Sequence, residues 1–310
     1  MPIDPQCQIL IDAANQAGGA PFEAADIMAI RDAYAKTTAL YAHPTPDLKS
    51  VRDHKFDGPG SELRIRHYTA HSDLGAAVLF LHGGGWAAGD IDTHDHVCRY
   101  LCAKSGAAFF SLDYRLAPEN QFPAALDDAN AALSWLHAHA DKLGFDVARL
   151  AIAGDSAGGN LAATVTLLNR DSGGPKIPFQ LLIYPSLNFH ADNASMRDNG
   201  EGYLLTRAAM ERFIELYLSD PSLADDFRAS PQRANHHEGL PAAFVMSAEF
   251  DPLRDEACAY AETLNAAGVS TEYKCYPGMI HGFLRMGAKV DLALTALDDA
   301  AHRLSEALHA

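Results

Sequence analysis

The sequence predicts an α/β protein with a mostly parallel central sheet, helices on both faces and a helical cap. From residue 62 onward, short segments typical of strands, either apolar or alternating between apolar and polar residues, alternate with longer helical segments. Strands interleaved with helices at this spacing need a parallel sheet that is covered on both faces. Residues 187–235 break the rhythm with polar loops around one helical stretch, which indicates an insertion.

The elements follow in a regular order. Residues 1–45 are predicted as two helices separated at residues 18–21. Strands are predicted at 62–68, 76–82, 107–114, 149–154, 178–185, 241–249 and 272–278. Helices are predicted at 94–106, 122–144, 161–168, 205–218 and 291–308. We therefore expect a core in two parts, 46–186 and 236–310. The cap, built from 1–45 and 187–235, should lie above the carboxyl ends of the strands, where ligands bind in such folds.

Composition argues against several classes of partner. The 310 residues contain 48% hydrophobic side chains, enough for a large core. They carry 24 basic and 40 acidic side chains, and the net charge of −16 repels nucleic acid and anionic membranes. Apolar runs fall short of the roughly 20 residues of a membrane helix, and the first residues do not resemble a signal peptide. With five scattered cysteines, we expect a cytoplasmic protein with no nucleic-acid or membrane partner.

One serine lies between two glycines where a strand meets a helix. The stretch is GDSAGGN, residues 154–160, with Ser156 at its centre. A helix N-cap is the simplest role for a serine at this place. A strand, a sharp turn and a helix also form the elbow that exposes a nucleophilic serine, with glycines where side chains would collide with backbone. That role requires a base within hydrogen-bond reach and a carboxylate that orients the base.

The base is expected after the last predicted strand. His281 occupies that position, whereas His190 is assigned to the insertion and the pair at 236–237 to its C-terminal border. In the chain order Ser, acid, His, the acid precedes the base. His281 is therefore the candidate base of Ser156.

The orienting acid should end the strand predicted at 241–249. Asp251 is the favoured candidate because Pro252 fixes the backbone beside it and a helix follows immediately. Glu249 is the nearest rival. Asp255 falls about one turn into the helix, where it would complement the helix dipole.

A glycine-rich loop supplies candidate donors to a developing oxyanion. HGGGW, residues 82–86, follows a buried strand, and its bare amides can approach a substrate oxygen. The amide of Ala157, at the start of the helix after Ser156, is the other expected donor. We expect Asp113 and Arg115 to brace this loop.

Six motifs in order resemble the hormone-sensitive lipase family of carboxylesterases. They are HGGGW (82–86), DYRLAPE (113–119), FPAALDD (122–128), GDSAGGN (154–160), DPLRDE (251–256) and HGF (281–283). The resemblance runs from about residue 50 to the C-terminus and implies an α/β-hydrolase fold. It implies Ser156 as nucleophile, His281 as base and Asp251 as orienting acid.

The resemblance also implies an oxyanion hole and a reaction. The oxyanion donors map to Gly83, Gly84, Gly85 and Ala157; Gly84 is favoured, with either neighbouring glycine as its partner. The implied reaction is hydrolysis of short-to-medium acyl esters through an acyl-enzyme, with no metal or organic cofactor. The expected partner is a small-molecule ester, and pairing through an edge strand, a habit of the family, would give a homodimer.

Two alternatives use the same scaffold. An amidase or formamidase would need only the same triad. A non-catalytic binding module is the other alternative, against which His281 argues, since receptors of this family's fold have lost the base. Seven side chains are candidates for the substrate pocket, although most of them would serve equally well as ordinary core: Trp86, Asp155, Leu204, Leu205, Phe213, Tyr217 and Phe283.

Overall fold

The computed structural model describes residues 2–18 and 24–309, so the predicted break between the first two helices lies largely outside the described residues. Within these ranges, eight strands form one sheet and nine helices surround it. The strands are β1 (Ser50–Asp57), β2 (Glu62–Thr69), β3 (Ala77–Leu81), β4 (Ala108–Asp113), β5 (Leu150–Asp155), β6 (Phe179–Ile183), β7 (Ala242–Phe250) and β8 (Thr271–Ile280). The helices are α1 (Pro5–Ala17), α2 (Ile27–Tyr41), α3 (Asp95–Ser105), α4 (Ala124–Leu143), α5 (Ala157–Asp171), α6 (Ala194–Asp198), α7 (Arg207–Tyr217), α8 (Arg254–Ala266) and α9 (Asp291–His309).

The sheet is mostly parallel, as the alternation of strands and helices predicts. Its order is β1-β2-β4-β3-β5-β6-β7-β8. Strand β2 pairs antiparallel with both β1 and β4, and every later pair is parallel. The carboxyl ends of β3, β5, β7 and β8 therefore meet at one edge of the sheet, so the loops that follow these strands lie close together.

Both faces of the sheet are covered. Helices α4, α5 and α8 contribute buried side chains to the core on one face. Helices α1, α3 and α9 contribute to the core on the other face. Strands β3 and β5 are buried along their whole length, as expected for parallel strands between two helical layers.

Strand β1 is missing from the sequence-based prediction because it lies at the edge of the sheet. Of its eight side chains, only Phe56 is buried. Its charged residues pair across to β2 instead, as Asp53 does with Arg66 at 2.7 Å. A strand that buries one side chain shows no apolar alternation, so hydrophobic periodicity does not detect it.

The two N-terminal helices have different positions. Helix α1 packs against β8, with the amide of Asp4 donating to the carbonyl of Gly278 at 3.0 Å. Helix α2 lies beside the loop after β3, where the guanidinium of Arg31 donates to the carbonyl of Ala87 at 2.8 Å. Among the helices in the described residues, none is long and apolar enough to cross a bilayer.

Candidate active site

Ser156 occupies a strained turn between β5 and α5. Its φ is 55°, a left-handed value that side-chain-bearing residues rarely adopt. A Cβ at Gly154 would lie 2.2 Å from the carbonyl oxygen of Gly158, and one at Gly158 would lie 1.9 Å from that of Leu81. Both glycines are therefore required by close backbone contacts. Ser156 is the N-cap residue of α5, as the simplest interpretation expected, but its side chain makes no capping hydrogen bond, so the Oγ is not occupied by a capping role.

Three side chains that are far apart in the sequence meet at the carboxyl edge of the sheet. The Oγ of Ser156 lies 3.0 Å from Nε2 of His281. Nδ1 of the same ring lies 2.7 Å from Oδ2 of Asp251, whose side chain is fully buried. A carboxylate can only accept, so Nδ1 carries the proton and Nε2 is free to accept from the serine hydroxyl.

Local contacts distinguish Asp251 from the rival acids. Its Oδ1 accepts the amide of Leu253 at 2.8 Å, which fixes the carboxylate at the end of β7. Glu249 instead accepts the amide of Gly278 at 2.7 Å. Asp255, in the first turn of α8, accepts the amide of Ser195 at 2.7 Å. Of these three acids, Asp251 is the one hydrogen-bonded to the imidazole.

Two of the three glycines in the loop line the serine's cavity, and the amide of the third is hydrogen-bonded within the protein. The amide of Gly83 donates to Oδ1 of Asp155 at 2.8 Å, which contradicts Gly83 as a donor to substrate. Gly84 and Gly85 adopt φ values of 125° and 60° and line the cavity with Ser156. Within the described residues, the amides of Gly84, Gly85 and Ala157 have no hydrogen-bond acceptor. These three amides remain the candidate oxyanion donors.

Asp155 anchors the glycine loop to the strand that carries the serine. It is buried, and burial alone would raise its pKa. The ring of His94, 3.3 Å away, and the amide of Gly83 outweigh burial and hold the pKa below its usual value. The carboxylate therefore stays ionised and continues to accept the loop amide.

The DYRLAPE motif supports the same loop by contacts that differ from the expected ones. The hydroxyl of Tyr114 donates to the carbonyl of His82 at 2.7 Å, and the two rings stack with centroids 4.1 Å apart. Arg115 pairs with the buried Asp128 at 2.7 Å, and Asp113 pairs with an arginine of β2. Arg115 thus supports the neighbouring helix and Asp113 the neighbouring strand, whereas Tyr114 braces the loop.

A cavity of about 300 Å³ opens beside the serine. One side, which we call the floor, consists of loops at the carboxyl edge of the sheet: Gly84, Gly85, Trp86, Asp155, Ser156, Ala157, Ser186, His281 and Gly282. The opposite side, which we call the cap wall, comes from α2 and the segment around α7: Ala33, Tyr34, Thr37, Leu204, Leu205, Ala209, Met210 and Phe213. Arg285 and Met286, from a 3-10 turn after β8, complete the lining.

Five of the seven predicted pocket residues line this cavity, and two do not. Those that do are Trp86, Asp155, Leu204, Leu205 and Phe213. Tyr217 lies behind the lining, stacked on Trp86 with centroids 4.6 Å apart. Phe283 is fully buried and packs between the rings of Tyr184 and Tyr276. Helix α7 turns Tyr217 away from the cavity, and the turn after His281 directs Phe283 into the core.

Sequence reasoning missed several lining residues for two reasons. Ala209 and Met210 precede Phe213 by four and three positions, so helical spacing could have placed them on the same face. The residues of α2 carry no motif and reach the cavity only through tertiary packing. Arg285 follows His281 by four residues, and no sequence pattern marks its position.

Comparisons with known proteins agree with this geometry. The model of a family with the alpha/beta hydrolase fold matches residues 78–285. The carboxylesterase NlhH of Mycobacterium tuberculosis is 37% identical over 99% of this chain and 97% of its own. The ethyl acetate hydrolase of Pseudomonas putida is 35% identical over 92% of each chain.

Solved structures show the same similarity. An ester hydrolase from the metagenome of Lake Arreo, complexed with a derivative of bipyridine phosphonate, matches with a TM-score of 0.94 and 40% identity over 98% of both chains. The hyperthermophilic esterase of the archaeon Pyrobaculum calidifontis matches with a TM-score of 0.94 and 38% identity over 100% of both chains. The names of these relatives argue against a non-catalytic binding module. This chain belongs to the α/β-hydrolase fold family, in its hormone-sensitive lipase group, and is a carboxylic ester hydrolase.

Proposed function

We propose that this protein hydrolyses short-to-medium acyl esters through an acyl-enzyme intermediate. Ser156 is the nucleophile, His281 the general base and Asp251 the acid that orients the base. The observation that carries the proposal is the pair of contacts at His281, 3.0 Å to the serine oxygen and 2.7 Å to the carboxylate. These are the hydrogen bonds that a serine needs in order to act as a nucleophile.

The reaction runs in two acyl transfers. The Oγ of Ser156 attacks the ester carbonyl while its proton passes to Nε2 of His281. The tetrahedral intermediate expels the alcohol, which takes that proton, and the acyl group stays on the serine. A water molecule then gives a proton to the same nitrogen and attacks the acyl-enzyme. The second tetrahedral intermediate expels the Oγ of Ser156, which takes that proton back from His281, and the acid is released.

The negative charge that develops on the carbonyl oxygen needs fixed donors. Gly84, Gly85 and Ala157 are proposed for this role because their amides border the cavity and have no acceptor among the described residues. Losing one such donor typically costs about 2.7–4 kcal/mol of transition-state stabilisation. The hydrogen bond from Gly83 to Asp155 holds the loop in place, so little reorganisation is needed during the reaction.

The size and character of the cavity support a small, mostly apolar ester. Its volume of about 300 Å³ is at the lower end of ligand pockets. Leu204, Leu205, Met210 and Phe213 give the cap wall an apolar surface. One relative is named an ethyl acetate hydrolase, which agrees with a preference for short esters.

The cap is proposed to consist of α2 and residues 187–235, because both border the cavity. Helix α1, which packs on β8, is assigned to the core, unlike in the division expected from the sequence. The five free cysteines, three of them buried, suit a reducing compartment such as the cytoplasm. The homodimer stays a prediction.

The test combines a substitution with covalent labelling. Ser156→Ala should abolish hydrolysis of p-nitrophenyl butyrate, and an aryl phosphonate should add once to the wild type, at Ser156, by mass spectrometry of peptides. Ser186 supplies the control, since it is the other serine among the cavity's described lining residues. Ser186→Ala should still be labelled. Unchanged turnover in Ser156→Ala, or a label on Ser186, would refute the proposed nucleophile.

The amidase alternative is measured in the same assay. The matched anilide, p-nitrobutyranilide, should be cleaved far more slowly than the ester. Cleavage of the anilide at an equal rate would favour the amidase.

A further inference from the structure

Arg285 places a positive charge in the substrate cavity, where no carboxylate of the described residues forms an ion pair with it. It lies in the 3-10 turn Phe283–Met286 and lines the same cavity as Ser156. Its guanidinium carbon is 3.8 Å from the centroid of the Tyr34 ring, and one N–H donates to Oγ1 of Thr38. Among the described residues, its Nε has no hydrogen-bond partner and no carboxylate forms an ion pair with it.

Two other arginines that join the cap or the core loops are neutralised by carboxylates. Arg31, on α2, pairs with Glu119 at 2.7 Å, and Arg115 pairs with Asp128 at 2.7 Å. A guanidinium presents a planar fork of donors that matches a carboxylate and is seldom left unpaired away from water. The position of Arg285 therefore leaves room for an anionic acceptor, which no carboxylate of the described residues supplies.

The acidic lining residue does not supply this acceptor. Asp155 accepts the amide of Gly83 at 2.8 Å, and its carboxylate lies 3.3 Å from the ring of His94. These contacts hold Asp155 at the base of the glycine loop. The charge of Arg285 contributes to the lowered pKa of Asp155, but no hydrogen bond joins the two side chains. Since Nε of Arg285 is buried, the terminal N–H groups that Thr38 and Tyr34 do not take are the donors left for a ligand in the cavity.

We propose that Arg285 determines specificity by binding a carboxylate carried by the ester substrate. This inference rests on the proposed function, because it needs the ester carbonyl at Ser156 while the carboxylate lies at Arg285 within one cavity. The net charge of −16 does not attract anions over a distance, so recognition depends on direct contact. The preferred substrate class is then a small ester with a carboxylate on its acyl or its alcohol side.

Two substrate pairs distinguish the acyl side from the alcohol side. On the acyl side, the p-nitrophenyl monoester of adipic acid is compared with the ester in which isopropyl replaces the carboxylate. On the alcohol side, para-acetoxybenzoate is compared with para-isopropylphenyl acetate. The measured quantity is the ratio of kcat/KM for the charged and the neutral member of each pair.

We expect Arg285→Met to lower this ratio about tenfold or more for at least one pair. The loss of a hydrogen bond to a charged group typically weakens binding by at least that factor. Arg285→Lys keeps the charge and should recover part of the ratio. Arg31→Met is the matched control. This substitution removes the contacts of α2 with Ala87, Ala117 and Glu119. It leaves the positive charge in the cavity unchanged. Its ratio should stay that of the wild type.

The possible results separate recognition from a structural role. If Arg285→Met lowers kcat/KM equally for charged and neutral esters, Arg285 only secures α2 and the proposal fails. If the ratio does not change while Ser156→Ala still abolishes turnover, the proposal fails and the proposed function stands. Wild-type protein gives an independent measurement should the variants not fold. Hexanoate should inhibit competitively and more tightly than hexanamide, and equal inhibition would overturn the proposal.

Discussion

The two sides of the substrate cavity are built by different physical means. In the floor, backbone atoms fix the geometry: Ser156 sits at a strained φ of 55°, and a Cβ at Gly84 would lie 2.1 Å from the carbonyl oxygen of Ala88. In the cap wall, side chains on short helices provide the surface. Helix α2 buries one side chain, Ile30, and Leu204 is 38% exposed. The floor therefore has little freedom, whereas the cap wall can change without disturbing the sheet.

This difference separates the chemistry from the choice of substrate. Substitutions in the floor should act on kcat or on folding, because close-packed backbone cannot move aside. Substitutions in the cap wall should act on the relative rates of different esters. Asp251→Asn and Met210→Ala test this separation, and Glu256→Gln tests the buried packing next to the site. Their expected effects decrease in the order Asp251→Asn, Glu256→Gln, Met210→Ala.

Asp251→Asn should lower kcat for p-nitrophenyl butyrate about a thousandfold or more. The amide can donate to Nδ1 of His281, which would place the ring proton on Nε2 and leave no acceptor for Ser156. Steady-state kinetics measure the loss, and the midpoint of chemical denaturation checks that the protein still folds.

Asp255→Asn is the matched control in the same motif. Asp255 bonds to Ser195 and Arg254 and does not contact His281, so turnover should be retained. Equal losses in the two variants would show that the motif acts on folding, and would contradict the role proposed for Asp251.

Glu256→Gln should remove a loss of folding stability that the wild type suffers as pH rises. Glu256 is buried and accepts the amide of Leu187 at 2.9 Å, and burial raises its pKa from 4.5 to about 8. Between these values the folded state keeps a proton that the unfolded state has lost. The free energy of unfolding contributed by this group therefore falls as pH rises from 5 to 8, by about 3 kcal/mol.

Urea denaturation at pH 5 and pH 8 measures this effect. The variant should gain stability relative to the wild type as pH rises, since glutamine cannot ionise and can still accept the amide of Leu187. The histidines titrate alike in both proteins and cancel in the difference. A difference that is the same at both pH values would contradict the raised pKa.

Met210→Ala should change the preference for acyl chain length and little else. Removing this side chain enlarges the cavity at the cap wall. The ratio of kcat/KM for a hexanoyl ester to kcat/KM for an acetyl ester should therefore rise by about tenfold or less. Arg212→Ala on the same helix is the control, because Arg212 lines no part of the cavity. A panel of p-nitrophenyl esters gives the ratio, and a similar shift in both variants would attribute the effect to loosening of α7.

Much of the floor could be predicted from the sequence because its motifs are local. The serine turn and the glycine run each follow a strand that is buried along its whole length, and close contacts four residues away require Gly154 and Gly84. The Cβ of a residue at 158 would instead meet the carbonyl of Leu81, so the two loops also restrict each other across the sheet. The exposed edge strand β1 and the use of Gly83 as an internal donor were not predictable, since both depend on neighbours that are distant in the chain.

The sequence by itself determined the alternating α/β architecture, the serine elbow and the chain order of Ser156, Asp251 and His281. Tertiary structure alone decided which glycine amides remain available, that α2 borders the cavity while α1 does not, and that Arg285 lies there without an anion. The physical reason is range. Propensity and periodicity act between near neighbours, whereas a cavity is enclosed by elements whose contacts arise only when the sheet has formed and its helices have packed.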